Sequence, residues 1–204
     1  MTNFLHKGDL PADVDFGDAV AVDTETLGLN LQRDALCVVQ LSAGDGNAHI
    51  VQLDRSSYDA PNLKRVMSDQ AVTKIFHFAR FDVAMMRHHF GIFATPVFCT
   101  KIASRLVRTY TDRHGLKDLC RELIGVELSK QQQSSDWGAA ELSDAQLQYA
   151  ASDVLYLHEL RARLTAMLDR EGRMDLAAAC FAFLPARAEL DLAGWPEEDI
   201  FAHV

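Results

Sequence analysis

The sequence predicts an α/β fold in a single domain spanning residues 1–204, a mixed sheet of about five strands flanked by helices. Short β-rich apolar runs fill the first half, two of them joined by a hairpin signal. A strand–helix–strand alternation follows, and from Lys101 onward the apolar spacing is helical.

Met1 to Asp18 reads as a short polar lead. The apolar run Ala19 to Val22 reads as a buried strand that ends in two acids, Asp23 and Glu25, before a glycine at 28 that lets the chain turn. Residues 36–42 and 48–53 are β-rich and separated by Gly-Asp-Gly-Asn, a hairpin signal. A helix is expected over 60–67 and a fourth strand over 73–77. A helix over 80–90 follows, with Phe81, Ala84, Met85 and Phe90 on its apolar face and Gly91 as its stop. Residues 96–100 supply the fifth strand. Helical spacing then covers 101–107, 116–125, a long stretch over 143–171, and 173–183, with a polar loop at 129–138. There is no internal repeat or low-complexity linker.

Composition narrows the function classes. The hydrophobic fraction of 49% and charged fraction of 24% are those of an ordinary globular protein. No stretch approaches the ~20 apolar residues of a membrane span, and the N-terminus has no apolar signal core, so the expectation is a cytoplasmic protein with no membrane partner. Cys37, Cys99, Cys120 and Cys180 lie among apolar neighbours without ligand spacing and read as core thiols. A net charge of −9 argues against a broad basic track for long nucleic acid, though not against a small polyanion held through metal ions.

Two carboxylates at the mouth of a core strand need a reason. Asp23 and Glu25 are two apart and point the same way in extended backbone, where charges at about 4 Å repel by roughly 4 kcal/mol at an effective dielectric of 20. A divalent cation would relieve that repulsion. The plain alternative is a turn cap at Asp23 and a solvated Glu25. Asp82 falls in the first turn of a helix, where the macrodipole favours an anion by about 0.3–1 kcal/mol whether or not it has a further task. Tyr149 and Asp153 stand at i and i+4 on one helix face, a spacing that suits a buried hydrogen bond as well as a catalytic pair. Four acids in the order Asp, Glu, Asp, Asp, each at a strand end or on a helix face, are a more particular pattern.

With Asp23-Thr24-Glu25, His77 to Asp82 and Tyr149 to Asp153 in that order, the chain resembles the ribonuclease D family, 3′–5′ exonucleases with four acids and a tyrosine in the last motif. Residues 109–116, 129–137 and the ending from Leu192 through His203 are similar to its short nano-RNase C members, which degrade very short RNAs. His77-Phe78-Ala79 departs from the His-Asn-Ala of many members. With Val204 as its last residue, the sequence leaves no room for the helical nucleic-acid-binding domains of full-length ribonuclease D, so the expectation is a small substrate rather than transfer-RNA maturation.

The resemblance implies a ribonuclease H-like exonuclease fold and two Mg²⁺ or Mn²⁺ ions per site, as all-oxygen donors favour. It also implies roles. Asp23 bridges both metals, Glu25 and Asp153 complete the site of the attacking water, Asp82 holds the second metal through water, Glu25 receives the terminal 3′-hydroxyl, and Tyr149 orients the water. Substrate contacts are expected from Thr26, Leu27, Leu29, His77, Arg80 and Trp137, with Leu29 as a wedge between bases or as ordinary packing. Arg113, His114, Lys117 and Lys130 are further candidates for phosphate, or solvated surface, and His88-His89 reads as helix surface. The implied substrate is short single-stranded RNA, from dinucleotides to a few nucleotides. The implied assembly is a closed homo-oligomeric ring, an octamer, with residues 181–203 at the subunit interface. Longer RNA and DNA stay open as substrates, because no residue visibly reads the 2′-hydroxyl.

Overall fold

The computed structural model describes residues 2–129, 132 and 134–203. Six strands, β1 (Asn3–Lys7), β2 (Ala19–Thr26), β3 (Leu36–Ser42), β4 (Ala48–Gln52), β5 (Thr73–Phe76) and β6 (Val97–Cys99), form one sheet in the order β1-β4-β3-β2-β5-β6. The β2–β3–β4 meander is antiparallel, while β1 on β4, β5 on β2 and β6 on β5 are parallel. The sheet is therefore mixed, with six strands rather than five. The extra strand is β1, within the stretch that reads as a polar lead. None of its residues is buried, so it carries no apolar stripe to find, and its pairing with β4 defines it. His6 Nε2 and His49 Nδ1 lie 3.0 Å apart across that pair, and Phe4 stacks on His49.

β2 sits at the centre of the sheet, which is why Ala19 to Val22 are almost wholly buried and read as a continuous apolar run. Helices α1 (Pro61–Ser68), α2 (Ala79–Phe90) and α3 (Thr100–Val107) link and flank the parallel strands. Lys74, fully buried in β5, donates to the carbonyls of Asp69, Val72 and Thr95 and so ties together the segments that lead into the parallel strands β5 and β6.

The expected helix over 116–125 is α4 (Leu116–Leu119) running into a π-helical turn, Cys120–Ile124. The long helix over 143–171 is two, α5 (Asp144–Leu155) and α6 (Leu157–Arg170), broken at Tyr156 where φ is −105°. No glycine or proline marks that junction. Ser143 and Gln146 close the start of α5 with a reciprocal capping box. α7 (Met174–Ala193) runs ten residues past its expected end at 183, through Pro185, and packs on α2, α3 and β6. Phe181, Leu184 and Ala188 are buried on the chain's own core, whereas Leu176, Phe183, Trp195, Ile200 and Phe201 are exposed. Among the described residues, no helix is long and apolar enough to cross a membrane. Cys37, Cys99 and Cys120 are buried, and all four thiols are free.

Candidate active site

Asp23 and Glu25 project from the end of β2 on one side of the strand, next to an irregularity between Glu25 and Thr26 that ends regular pairing with β3. α5 crosses β2, β3 and β4 and brings Asp153 to them. Carboxylate oxygens of Asp23, Glu25 and Asp153 lie within 4.8 Å of one another. These three residues are 130 positions apart along the chain at the extremes, and folding makes them a single site.

Asp82 stands outside that trio. It is buried in the first turn of α2, where its Oδ1 accepts a 2.6 Å hydrogen bond from Thr24 Oγ1. Tyr149, one turn before Asp153, donates its hydroxyl to the Asp153 carboxylate, and its ring lies 6.1 Å from that of Trp137.

The electrostatics follow from burial and crowding. Burial, then repulsion from Asp82, Asp153 and Glu25, holds Asp23 protonated well above the usual carboxylate range. Glu25 is pushed to about 9, by burial first and by Asp153 and Asp82 next. Burial lifts Asp153 to about 7 against the opposing hydrogen bond from Tyr149, and lifts Asp82 to about 7 against that from Thr24. Burial and the neighbouring carboxylates raise the Tyr149 phenol, so it is no base at neutral pH. A cluster of hard oxygen donors whose charges cannot coexist in its absence is the donor set a divalent cation satisfies.

The residues expected to hold substrate are placed unevenly. Leu27 and Leu29, after β2, are exposed, the latter at 84%. Thr26 Oγ1 donates to the Gly28 carbonyl at 2.6 Å and shapes their loop. The glycine at 28 is required for a reason other than turning. Its backbone needs no positive φ, but a Cβ there would stand 2.2 Å from Asp34 Oδ2. His77 pairs its Nδ1 with Thr100 Oγ1 at 2.9 Å, and burial, followed by the nearby Lys101, drives its imidazole down to about 3, keeping it neutral.

Three placements differ from expectation. Arg80 is committed to a bidentate ion pair with Asp191, at 2.6 and 2.7 Å, which neutralises the charge a phosphate would need. Trp137 is 2% exposed, so its ring is packing beneath Tyr149 rather than an open stacking face. His89 is half-buried against Tyr58 at 4.7 Å rather than on the surface, while His88 is exposed. Lys130 lies outside the described residues.

Two neighbours of the acids escape sequence reasoning. Thr24 reads as spacer between two acids, and nothing local shows that its hydroxyl meets a helix 58 residues away. Gln40 pairs with Asp23 across β2 and β3, is fully buried, and has no hydrogen-bond partner for either amide atom among the described residues. A lone amide in an otherwise apolar strand was the available signal.

Comparison with known proteins agrees with this geometry. A family model described as 3′–5′ exonuclease matches residues 9–169. Ribonuclease D of Acidiphilium cryptum is 36% identical over 159 residues, which cover 78% of this chain and 40% of that protein. The chain thus spans well under half the length of this relative. Among solved structures, Brucella melitensis NrnC with bound Mg²⁺ superposes with a TM-score of 0.96 at 60% identity, covering 100% of both chains, and a second structure of that protein is bound to pGG. Escherichia coli RNase D superposes with a TM-score of 0.74 at 26% identity over 85% of this chain and 45% of its own. With its family model spanning the three acidic motifs and its whole length matched by NrnC, a nano-RNase C, the chain belongs to the 3′–5′ exonuclease family as a ribonuclease D-like member.

Proposed function

We propose that this protein is a cytoplasmic, metal-dependent 3′–5′ exoribonuclease that hydrolyses very short single-stranded RNAs, from dinucleotides to a few nucleotides, and releases nucleoside 5′-monophosphates. The observation that carries this reading is the convergence of Asp23, Glu25 and Asp153 within 4.8 Å, with the Tyr149 hydroxyl on Asp153. Its support for short substrates is the full-length likeness to NrnC, a protein seen with the dinucleotide pGG.

Two Mg²⁺ or Mn²⁺ ions would be held by Asp23, Glu25 and Asp153, with Asp82 contributing through water. When bound, such ions lower the pKa of a water and stabilise the attacking and leaving oxygens. The chain's own groups do the rest. Glu25 receives the terminal 3′-hydroxyl and sets which phosphodiester is presented. Tyr149, fixed by its bond to Asp153, orients the water for in-line attack, and with its phenol raised it positions rather than deprotonates. The attacking water gives up a proton to solvent as its oxygen bonds to phosphorus, the P–O3′ bond breaks, and the leaving 3′-oxygen takes up a proton from solvent. Leu29, exposed and four residues beyond Glu25, wedges against a base.

The exposed Trp195, Ile200 and Phe201, with Phe183 beside Phe201, form an apolar surface that supports a homo-oligomer, in our reading a closed octameric ring. Such a ring together with an acidic surface would exclude long polyanions. The test is a time course on end-labelled RNAs of two to about twenty nucleotides and on matching DNA, with Mg²⁺, Mn²⁺ or chelator, alongside light scattering. Cleavage that falls steeply with RNA length supports the reading. Equal rates on two- and twenty-nucleotide RNA, or robust cleavage in excess chelator, would overturn it.

A further inference from the structure

Phe78 is placed where a phenylalanine has no local reason to be. It begins α2 at φ 68° and ψ 45°, left-handed backbone that disfavours a residue with a Cβ and suits glycine or asparagine. As the N-cap it offers the helix no side-chain hydrogen bond, which an asparagine would supply. Its ring is also 45% exposed, so burial of apolar area does not explain it.

The ring lines a cleft of about 540 Å³ that Leu29 lines as well, and Leu29 is four residues beyond Glu25. Arg80, which also lines the cleft, is bound to Asp191 and to the Pro196 carbonyl, and the Glu197 carboxylate lines the cleft as well, so its lining offers apolar surface and no free cation. Lys101 Nζ rests 4.3 Å from the Phe78 ring centroid, and among the described residues neither it nor Arg105, one helical turn on, has a carboxylate partner. Two exposed hydrophobic side chains line the cleft, Leu29 four residues after Glu25 and Phe78 four residues before Asp82, and a cation without a carboxylate partner among the described residues lies against the Phe78 ring. That combination matches a nucleobase attached to a phosphate: a flat apolar face to stack and an anion next to it.

We propose that Phe78 and Leu29 form a nucleobase slot, in which one base of the short RNA stacks on the Phe78 ring while Lys101 faces its phosphate. The slot rests on the exoribonuclease reading above. It makes Phe78 a substrate-binding residue that takes the position of the family's asparagine, and gives a reason for tolerating unfavourable backbone there.

The test compares the unmutated protein, Phe78→Asn and Phe78→Tyr on an RNA dinucleotide and on two analogues that lack one base or the other. Phe78→Asn suits the left-handed backbone and supplies a cap, so it folds. It should raise KM for the intact dinucleotide roughly five- to one-hundred-fold, more than it changes kcat, while Phe78→Tyr stays near the unmutated value. On the analogue missing the base that fills the slot, Phe78→Asn should add no further penalty. An unchanged KM, or the same penalty on all three substrates, overturns the slot. Dinucleotide binding in Ca²⁺ reads the slot without turnover. Weaker binding by Phe78→Asn supports it and equal affinities overturn it, whereas an unmutated protein that binds RNA yet never hydrolyses it sinks the exoribonuclease reading alone.

Discussion

Thr24 Oγ1 donates to Asp82 Oδ1 at 2.6 Å, joining the central strand β2 to the first turn of α2 inside the core. Thr24 is flanked by Asp23 and Glu25, so one three-residue segment supplies two carboxylates to the cluster and fixes a fourth acid that lies outside it. The hydrogen bond favours the ionised form of Asp82 and works against the burial that lifts its carboxyl to about 7.

Thr24→Val keeps the shape of the side chain and removes the donor. Asp82 should then hold its proton to higher pH and hold metal less well. We expect the Mg²⁺ concentration for half-maximal activity to rise about 10-fold, within the range for a lost partner of a metal ligand, and the acid limb of the pH–rate profile to move up. Unchanged metal dependence would show that the Thr24 bond is only structural.

Metal-free stability should fall as pH rises. In unfolded chain the aspartates titrate near 3.8 and glutamate near 4.5, while folding raises Asp82 and Asp153 to about 7 and Glu25 to about 9. Between those values the folded protein binds more protons than the unfolded, so its unfolding free energy declines with pH. Melting in chelator should therefore drop progressively between pH 5 and pH 9, and added Mg²⁺ should recover the loss most strongly at the alkaline end. Asp23→Asn or Asp153→Asn should abolish cleavage and melt higher than the unmutated protein at pH 8 without metal. A flat pH profile in chelator would mean that the carboxylates do not repel one another as their spacing requires.

Tyr149→Phe removes the hydroxyl that meets Asp153 and leaves the ring against Trp137. Turnover should drop about 10²-fold with little change in substrate affinity, the pattern of a lost positioning group. Unaltered kcat would leave Tyr149 as a packing residue of α5.

Asp191→Asn tests the anchoring of the C-terminal segment. The Asp191 carboxylate, its side chain 3% exposed, accepts from both Arg80 and Arg187, and those guanidiniums also hold the carbonyls of Pro196 and Trp195. Losing the anion leaves two cations facing each other at a cost of about 2–3 kcal/mol, reduced because Arg80 is partly exposed. The melting temperature should fall by roughly 5–10 °C, and proteolysis beyond Trp195 should accelerate. An unshifted melting point would show that solvent already screens the pair.

The four acids and the tyrosine of the candidate site were legible in the sequence because each carries its own local signal: two acids closing an apolar run, an acid opening a helix, and a tyrosine and an aspartate at i and i+4. The core strands were legible for the same reason, since burial on both faces of β2 and β3 leaves continuous apolar runs. Features settled by a partner far along the chain were not. β1 exists through its pairing with β4, and Thr24 is given its task by Asp82. Arg80 is claimed by an acid 111 positions away, and Trp137 is drawn under Tyr149. Periodicity and propensity act over a turn of helix or a pleat of strand, whereas charge neutralisation and burial depend on which surfaces meet. Local sequence signals therefore single out the candidate residues for the chemistry, whereas the packing of distant surfaces sets which polar groups are free to meet a substrate and which are already spent on one another.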